Sequence, residues 1–327
     1  MPTQTLRWGL LSTARINKAL IPPLLLSKRN KLVAVASRSQ KKADAFAKEK
    51  KIKRAFGSYE AMLADPEIDV IYNPLPNHMH AEWTIRALEA GKHVLCEKPL
   101  ALSLAEVDAI SAAVQRSGKI AAEAFAYRSH PQTQQIKEFI NSGKLGRVRL
   151  VHGSFSFALG DPSDIRWDPK MGGGGLWDIG CYPISFARWV LGTEPLEVYG
   201  WQVTSPSGVD ATFAGQLRFP GDIYFQLDSS FEIPSHQFVD IVGDEGTLSI
   251  PQPFNASLKR SLFLTRGEKT TTIPVKGLDP YACQVEDFAD SVLLGKPPVV
   301  SLADSRLNTA TILALLESAR TNKPVSM

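Results

Sequence analysis

Lys98, Asp178 and Tyr182 are side chains of the kind that pass a proton to or from an oxygen atom, and two short segments carry them. Glu97-Lys98-Pro99 directly follows the apolar run 92–96, and in an α/β fold the ligand crevice lies at the carboxyl ends of the strands. Residues 172–182 read Gly-Gly-Gly-Gly-Leu-Trp-Asp-Ile-Gly-Cys-Tyr. As the opening of a helix, this segment sets Asp178 and Tyr182 at i and i+4, on one face. A lysine, a tyrosine and a carboxylate that converge can move a proton while a second carrier moves a hydride.

Elements that position such a site need a sizeable scaffold. The chain has 327 residues, 44% of them hydrophobic and 21% charged, which suits a soluble globular protein of two domains. The formal net charge of +4 is small for this length. The basic cluster at 41–54 is broken by Asp44 and Glu49 and reads as a solvated helix face, so no nucleic-acid partner is expected. Cys96, Cys181 and Cys283 are scattered and odd in number, without zinc spacing or a disulfide framework, as in a reducing cytosol. A strand begins by Leu6 with no charged-then-apolar leader before it, and no apolar run reaches the length of a membrane span. The expectation is a soluble, unexported, cytoplasmic protein with no membrane partner.

From Leu6 to about Ala124 strand-like runs alternate with helical patterns, the rhythm of βαβ units and a parallel sheet. Strands are expected near 6–11, 32–36, 69–73, 93–96 and 120–124, and helices near 15–28, 40–50, 59–65, 79–90 and 103–117. Pro22-Pro23 should kink or restart the first helix. Past Ala124 a helix near 132–142, a strand near 147–157 and a helix near 176–191 precede strands near 197–205, 210–219, 222–231, 237–243, 246–251, 260–265 and 270–275. Phe219-Pro220-Gly221-Asp222 and Gly243-Asp244-Glu245-Gly246 are hairpin signals, which imply an antiparallel sheet in an α+β half. Helices near 281–294 and 303–320 close the chain. The fold class is therefore α/β: a Rossmann-type parallel-sheet domain over 1–124, then an α+β domain over 125–327.

The first strand and turn read Trp8-Gly9-Leu10-Leu11-Ser12-Thr13-Ala14-Arg15-Ile16-Asn17. A dinucleotide site needs small residues here, so that backbone N–H groups reach a pyrophosphate at the helix start. Ser12, Ala14 and Asn17 fill the three glycine places of that fingerprint, and Asn17 is its real departure. Gly9, Ser12, Thr13, Ala14, Arg15 and Ile16 are the candidate pyrophosphate contacts. After the second strand comes Ser37-Arg38 and no acid for a ribose 2′-hydroxyl. A hydroxyl and a guanidinium, backed by Lys41 or Lys42, suit a 2′-phosphate, so NADP is the expected cofactor, with NAD also possible. The loop Asn73-Pro74-Leu75-Pro76-Asn77-His78 is a stiff crevice wall, with Pro74, Leu75, Asn77 and His78 toward the nicotinamide ribose. No carboxylate or cysteine near His78 and His80 completes a metal site, so capping or ligand contact is their reading and no metal is expected.

Taken together, these motifs resemble the Gfo/Idh/MocA family nearly end to end. The resemblance rests on Ser37-Arg38, residues 74–80, Glu97-Lys98-Pro99, Glu123-Ala124-Phe125 with Tyr127-Arg128, the glycine run with Asp178 and Tyr182, and residues 243–246. The chain is most similar to the branch of glucose-fructose oxidoreductase, sugar dehydrogenases and dimeric dihydrodiol dehydrogenase, which carries tyrosine at the place of Tyr182. The resemblance implies a Rossmann domain, then a domain with a large open antiparallel sheet whose exposed face builds a homodimer or homotetramer. It also implies a cis bond before Pro99 and cofactor contacts from Glu97, Lys98 and Pro99.

The expected mechanism makes Tyr182 the general acid/base. A free phenol has a pKa of about 10, so the Lys98 ammonium is needed to favour the phenolate and to hold the substrate oxygen. Asp178 orients the lysine or a substrate hydroxyl, or serves as a helix-start carboxylate. Arg128, Arg166 and Trp167 are candidate substrate contacts on the crevice rim, whereas Phe155 and Phe157 read as packing. The expected activity is NADP(H)-dependent oxidation or reduction of a sugar or related polyhydroxylated substrate. Keto-sugar reduction and trans-dihydrodiol oxidation share the same machinery. A non-catalytic dinucleotide-binding regulator, or a non-redox enzyme with tightly held NAD, is a more distant alternative.

Overall fold

The short apolar runs of the first third become the strands of one parallel sheet, because each is followed by a helix long enough to cross back over it. The structure, a computed structural model, describes residues 5–255 and 259–327. The elements of this part are β1 (Leu6–Leu11), α1 (Asn17–Leu26), β2 (Asn30–Ala36), α2 (Gln40–Lys50), β3 (Arg54–Phe56), α3 (Tyr59–Leu63) and β4 (Val70–Asn73). They continue with α4 (His80–Glu89), β5 (His93–Cys96), α5 (Leu104–Ser117), β6 (Ala121–Glu123) and α6 (Ala126–Ser129). The strand order is β3-β2-β1-β4-β5-β6 and every pairing is parallel. The order reverses between β1 and β4, the switch point at which such sheets hold ligands.

Apolar side chains bury both faces of this sheet. Leu11, Val33 and Ile71 pack with Trp83, Leu88, Val107 and Ile110 from α4 and α5. Trp8, Leu10 and Val35 pack with Leu20 and Leu24 from α1. α1 runs through Pro22 and Pro23 as one continuous helix, without the expected restart. β3 was not anticipated, because its three half-buried residues follow the lysine-rich end of α2. The exposed lysines of α2 are the solvated face read from the sequence.

The remaining elements are α7 (Pro131–Asn141), β7 (Val148–Ser156), α8 (Cys181–Leu191), β8 (Glu197–Thr204), β9 (Asp210–Phe219), β10 (Ile223–Ser230), β11 (His236–Gly243) and β12 (Thr247–Pro251). After them come β13 (Lys259–Arg266), β14 (Lys269–Lys276), α9 (Pro280–Leu294), α10 (Leu302–Thr321) and β15 (Val325–Ser326). The second sheet runs β14-β13-β12-β11-β7-β10-β9-β8-β15. It is antiparallel except that β7 and β10 pair in parallel. This departs from the wholly antiparallel expectation, because α8 and the β8–β9 pair, not a tight turn, separate the two strands in sequence. Both hairpin signals form turns. Gly221 and Asp222 take φ 78° and 58° between β9 and β10, the positive pair that a type I′ hairpin turn requires.

The chain divides into two compact units, Met1–Ser129 with Asp279–Arg306, and His130–Leu278 with Leu307–Met327. The sequence placed one boundary after Ala124 and kept 279–306 with the second domain. Here α9 groups with the first unit, because Val285, Phe288 and Ala289 bury into the cluster of Trp8 and Leu20. Trp8 meets Phe288 edge-on at 5.5 Å, and Arg29 is ion-paired to Glu286 and Asp290.

Candidate active site

Ser12 takes φ 105°, a conformation that normally selects glycine. The turn is stabilised from within: the Asn17 side-chain amide donates to the Ser12 carbonyl at 2.8 Å, and the Ala14 N–H donates to the Ser12 hydroxyl at 3.2 Å. Asn17 is fully buried, so the apparent departure from the glycine fingerprint is an internal staple. No side chain caps the start of α1. The first helical N–H groups, of Asn17, Lys18 and Ala19, turn back to the Ala14, Arg15 and Ile16 carbonyls. A tight turn of small residues ahead of them still sets the positive end of the helix toward an anion such as a pyrophosphate. Thr13, Ala14, Arg15 and Ile16 form this turn, whereas Gly9 lies inside β1. A Cβ on Gly9 would stand 3.0 Å from the Met62 sulfur, so its place is close packing.

At the end of β2, Ser37 is buried and Arg38 and Lys42 are exposed. Burial pushes the Tyr59 phenol pKa up, and a hydrogen bond with the Arg38 guanidinium pulls it down. Tyr59 is itself fixed edge-on against Trp83 at 4.9 Å. Nothing in the residue pattern marked this Arg38–Tyr59 pairing, which joins the end of β2 to the start of α3. In the loop after β4, Pro74 is buried, Asn77 is half-buried and His78 is exposed. Leu75 belongs to the core and not to an open wall.

Two side chains tie β4 and the loop after it to the Glu97-Lys98-Pro99 segment. The His80 ring contacts the Leu75 carbonyl through Nε2 and the Pro99 carbonyl through Nδ1, each at 2.6 Å. Complete burial pushes its pKa down to about 4, against the pull of the two carbonyls. His80 is thus a clip between loops, a role that only the fold reveals. The Tyr72 hydroxyl donates to Glu97 at 2.5 Å. The Lys98-Pro99 bond is cis, as the resemblance implied, and Lys98 is half-buried.

In the second unit the glycine run opens a helical stretch whose first part, Leu176–Gly180, is wound as a π-helix before α8. Such turns recur at functional sites. Asp178 is ion-paired to Arg166, Nε to Oδ2 at 2.8 Å, and Arg166 also reaches Asp164 at 3.2 Å. The Tyr182 ring packs edge-on against Phe155 at 5.3 Å and tilted against Phe254 at 5.5 Å. Trp167 lies edge-on to Phe231 at 5.3 Å, and Phe157 sits beneath the Arg166 guanidinium. The fold brings two of the candidates read from the sequence, Arg166 and Asp178, into one ion pair, a partner that the sequence did not supply for Asp178.

Arg128 is placed otherwise than expected. It lies on α6 and not in a rim loop, is 4% exposed, and pairs with Asp304 at 3.0 Å. A buried guanidinium requires such a partner. His130 caps α7, accepting from the Gln132 N–H, which assigns it a structural role. Sequence reasoning missed Asp210, a buried aspartate whose carboxylate accepts the Leu176 N–H at 2.6 Å. Burial pushes its pKa up to about 7 against the pull of backbone donors.

These features have counterparts in known proteins. Residues 6–125 match the family model described as the oxidoreductase family with an NAD-binding Rossmann fold, and residues 133–249 match that of the Gfo/Idh/MocA C-terminal domain. The chain belongs to the Gfo/Idh/MocA family. It is 38% identical to D-xylose 1-dehydrogenase (NADP(+)) 2 of Haloferax volcanii, over 98% of this chain and 99% of that one. It is 36% identical to trans-1,2-dihydrobenzene-1,2-diol dehydrogenase of Danio rerio, over 75% and 74% of the two chains. A crystal structure of a 3-ketoreductase from Actinomadura kijaniata, in complex with NADP and TDP-benzene, superposes with a TM-score of 0.92 at 28% identity, covering 96% and 98% of the chains. This Gfo/Idh/MocA protein is an NAD(P)-dependent oxidoreductase. The turn after β1 fits the pyrophosphate of its cofactor.

Proposed function

We propose that this protein interconverts a CH–OH group and a carbonyl on a sugar or related polyhydroxylated substrate, with NADP(H) as cofactor. The observation that carries the reading is Tyr182, its ring fixed by Phe155 and Phe254 one turn beyond the Asp178–Arg166 pair. Residues of the β1 turn, with Ser37, Arg38, Lys42, Pro74, Asn77 and the Glu97-Lys98-Pro99 segment, hold the cofactor. When bound, the nicotinamide accepts the hydride of the CH–OH carbon or returns it to the carbonyl. Tyr182 takes the hydroxyl proton during oxidation and gives it back during reduction. Lys98 hydrogen-bonds the same oxygen and stabilises its negative charge. Arg166 and Asp178 together offer donors and acceptors to neighbouring hydroxyls.

Among the solved structures of the Actinomadura 3-ketoreductase are a lysine-to-alanine and a tyrosine-to-phenylalanine variant, whose altered positions stand 84 residues apart. Lys98 and Tyr182 have the same separation, which supports the pairing of their roles. A second reading, oxidation of a cyclic dihydrodiol, takes its support from the 36% identity to trans-1,2-dihydrobenzene-1,2-diol dehydrogenase of Danio rerio. A panel of aldoses, keto sugars and dihydrodiols, followed by nicotinamide absorbance with NAD and NADP forms, separates the readings. Turnover confined to dihydrodiols would replace the sugar assignment, and silence in cofactor-loaded protein would remove both. Within the same panel, Arg38→Ala should raise KM for NADP about 10- to 100-fold, the worth of a charge-assisted hydrogen bond, and leave NAD nearly unchanged. Equal losses would take Arg38 off the 2′-phosphate.

We also propose that a second copy of the chain covers the exposed face of the second sheet. Tyr199, Trp201, Val203 and Tyr224 stand on that face, and Trp201 and Val203 are more than half exposed, an unusual apolar cluster for open surface. Light scattering should give at least twice the 35.8 kDa chain mass, reduced toward one chain by Trp201→Lys. A monomer at micromolar concentration would refute this.

A further inference from the structure

Asp210 opens β9 and is 4% exposed. Its Oδ2 accepts the Leu176 N–H at 2.6 Å across 34 residues of sequence, and the Gly175 N–H also binds the carboxylate. No side chain of the local segment caps that helix start. Four N–H groups lack intrahelical partners at any helix start, so Asp210 supplies from a strand the cap that the glycine run cannot supply itself. The carboxylate also meets the positive end of the helix dipole, which favours an anion there.

The glycine run is shaped to admit this carboxylate. A Cβ on Gly174 would stand 2.3 Å from Asp210 Oδ1, and Gly174 takes φ 122°, a conformation open essentially to glycine alone. The same residue faces the opposite way with its backbone, donating its N–H to the Arg166 carbonyl at 3.0 Å. A Cβ on Gly173 would stand 2.4 Å from that carbonyl oxygen. The run is thus clamped between Asp210 on one side and the Arg166 turn on the other. Beyond the clamp the chain winds as a π-helix through Asp178 and reaches Tyr182 in the first turn of α8.

We infer that Asp210 is a positioning residue for the reaction: by fixing Gly174, Gly175 and Leu176 it sets where Arg166, Asp178 and Tyr182 point. The inference rests on the assignment of Tyr182 as the acid/base. Asp210 touches no reacting atom, and its effect passes through the helix start. Replacement by asparagine keeps the volume and one acceptor oxygen but puts an NH2 group in place of the other oxygen and removes the charge, which loosens the clamp without emptying it.

For Asp210→Asn, kcat on the sugar identified by the panel should fall at least tenfold. KM for NADP should stay within twofold, and the solvent deuterium isotope effect on kcat should rise as proton transfer becomes limiting. Unchanged kcat with an unchanged isotope effect, or a parallel loss of kcat and NADP affinity, would overturn the inference. Amide exchange in the unaltered protein gives a check that needs no variant: Gly175 and Leu176 N–H should exchange at least 100-fold more slowly than in an unstructured peptide, and free-peptide rates would remove the cap. Tyr182→Phe measured alongside separates the two claims. Full activity in that variant sinks the acid/base assignment, whereas an inactive Tyr182→Phe beside a fully active Asp210→Asn sinks only the role of Asp210.

Discussion

Tyr182→Phe should lower kcat about 10²- to 10⁴-fold, the usual worth of a positioned general acid/base, while NADPH binding stays within twofold. The substitution removes one hydroxyl and keeps the ring against Phe155 and Phe254, so the fold and the aromatic packing should persist. A hydroxyl lost from the proton path cannot be replaced by phenylalanine, and solvent water acts without fixed geometry. Steady-state rates in both directions, with NADPH affinity from quenching of tryptophan fluorescence, test this directly. A variant that keeps wild-type kcat would take the proton away from Tyr182. Equal losses of turnover and cofactor affinity would mark the tyrosine as a binding or packing residue instead.

Lys98→Met should cost about 10²- to 10³-fold in kcat, comparable to removing one preorganised donor from a developing oxyanion. Methionine keeps an unbranched apolar stem of nearly the same reach and deletes the ammonium with its charge and donors. The backbone around it is held independently by the Tyr72–Glu97 hydrogen bond and by the His80 contact to the Pro99 carbonyl, so the segment should keep its shape. The loss should fall on kcat and kcat/KM for the substrate together, the pattern of an interaction made chiefly in the transition state. A rise in substrate KM with kcat unchanged would demote Lys98 to ground-state binding.

The architecture was legible because both periodicities are strong. Alternation of apolar runs with amphipathic stretches marks βαβ units, and the segments around Gly221 and 243–246 carry explicit turn chemistry, so the strands from β8 to β14 fall within one or two residues of where the sequence put them. What failed was non-local. β3 is a three-residue edge strand with half-buried side chains, too short for any periodicity. The parallel pairing of β7 with β10 depends on where the chain returns after α8 and the β8–β9 pair. The return of α9 to the first unit depends on Trp8 having a free flank for Phe288.

The candidate site divides in the same way. Residue type and spacing by themselves singled out Glu97-Lys98-Pro99, the glycine run, Asp178, Tyr182 and Ser37-Arg38, because proton transfer and phosphate binding each require particular groups at particular element ends. Nothing in that pattern shows that Asn17 staples the turn in place of a glycine, that Arg166 neutralises Asp178, that Arg128 is spent on Asp304, or that Asp210 caps the helix beneath Tyr182. Local sequence determines which chemistry a segment can offer and which backbone it prefers. Only tertiary structure decides which buried charges and unpaired backbone groups meet, because desolvation forces each to find a partner wherever the fold brings one.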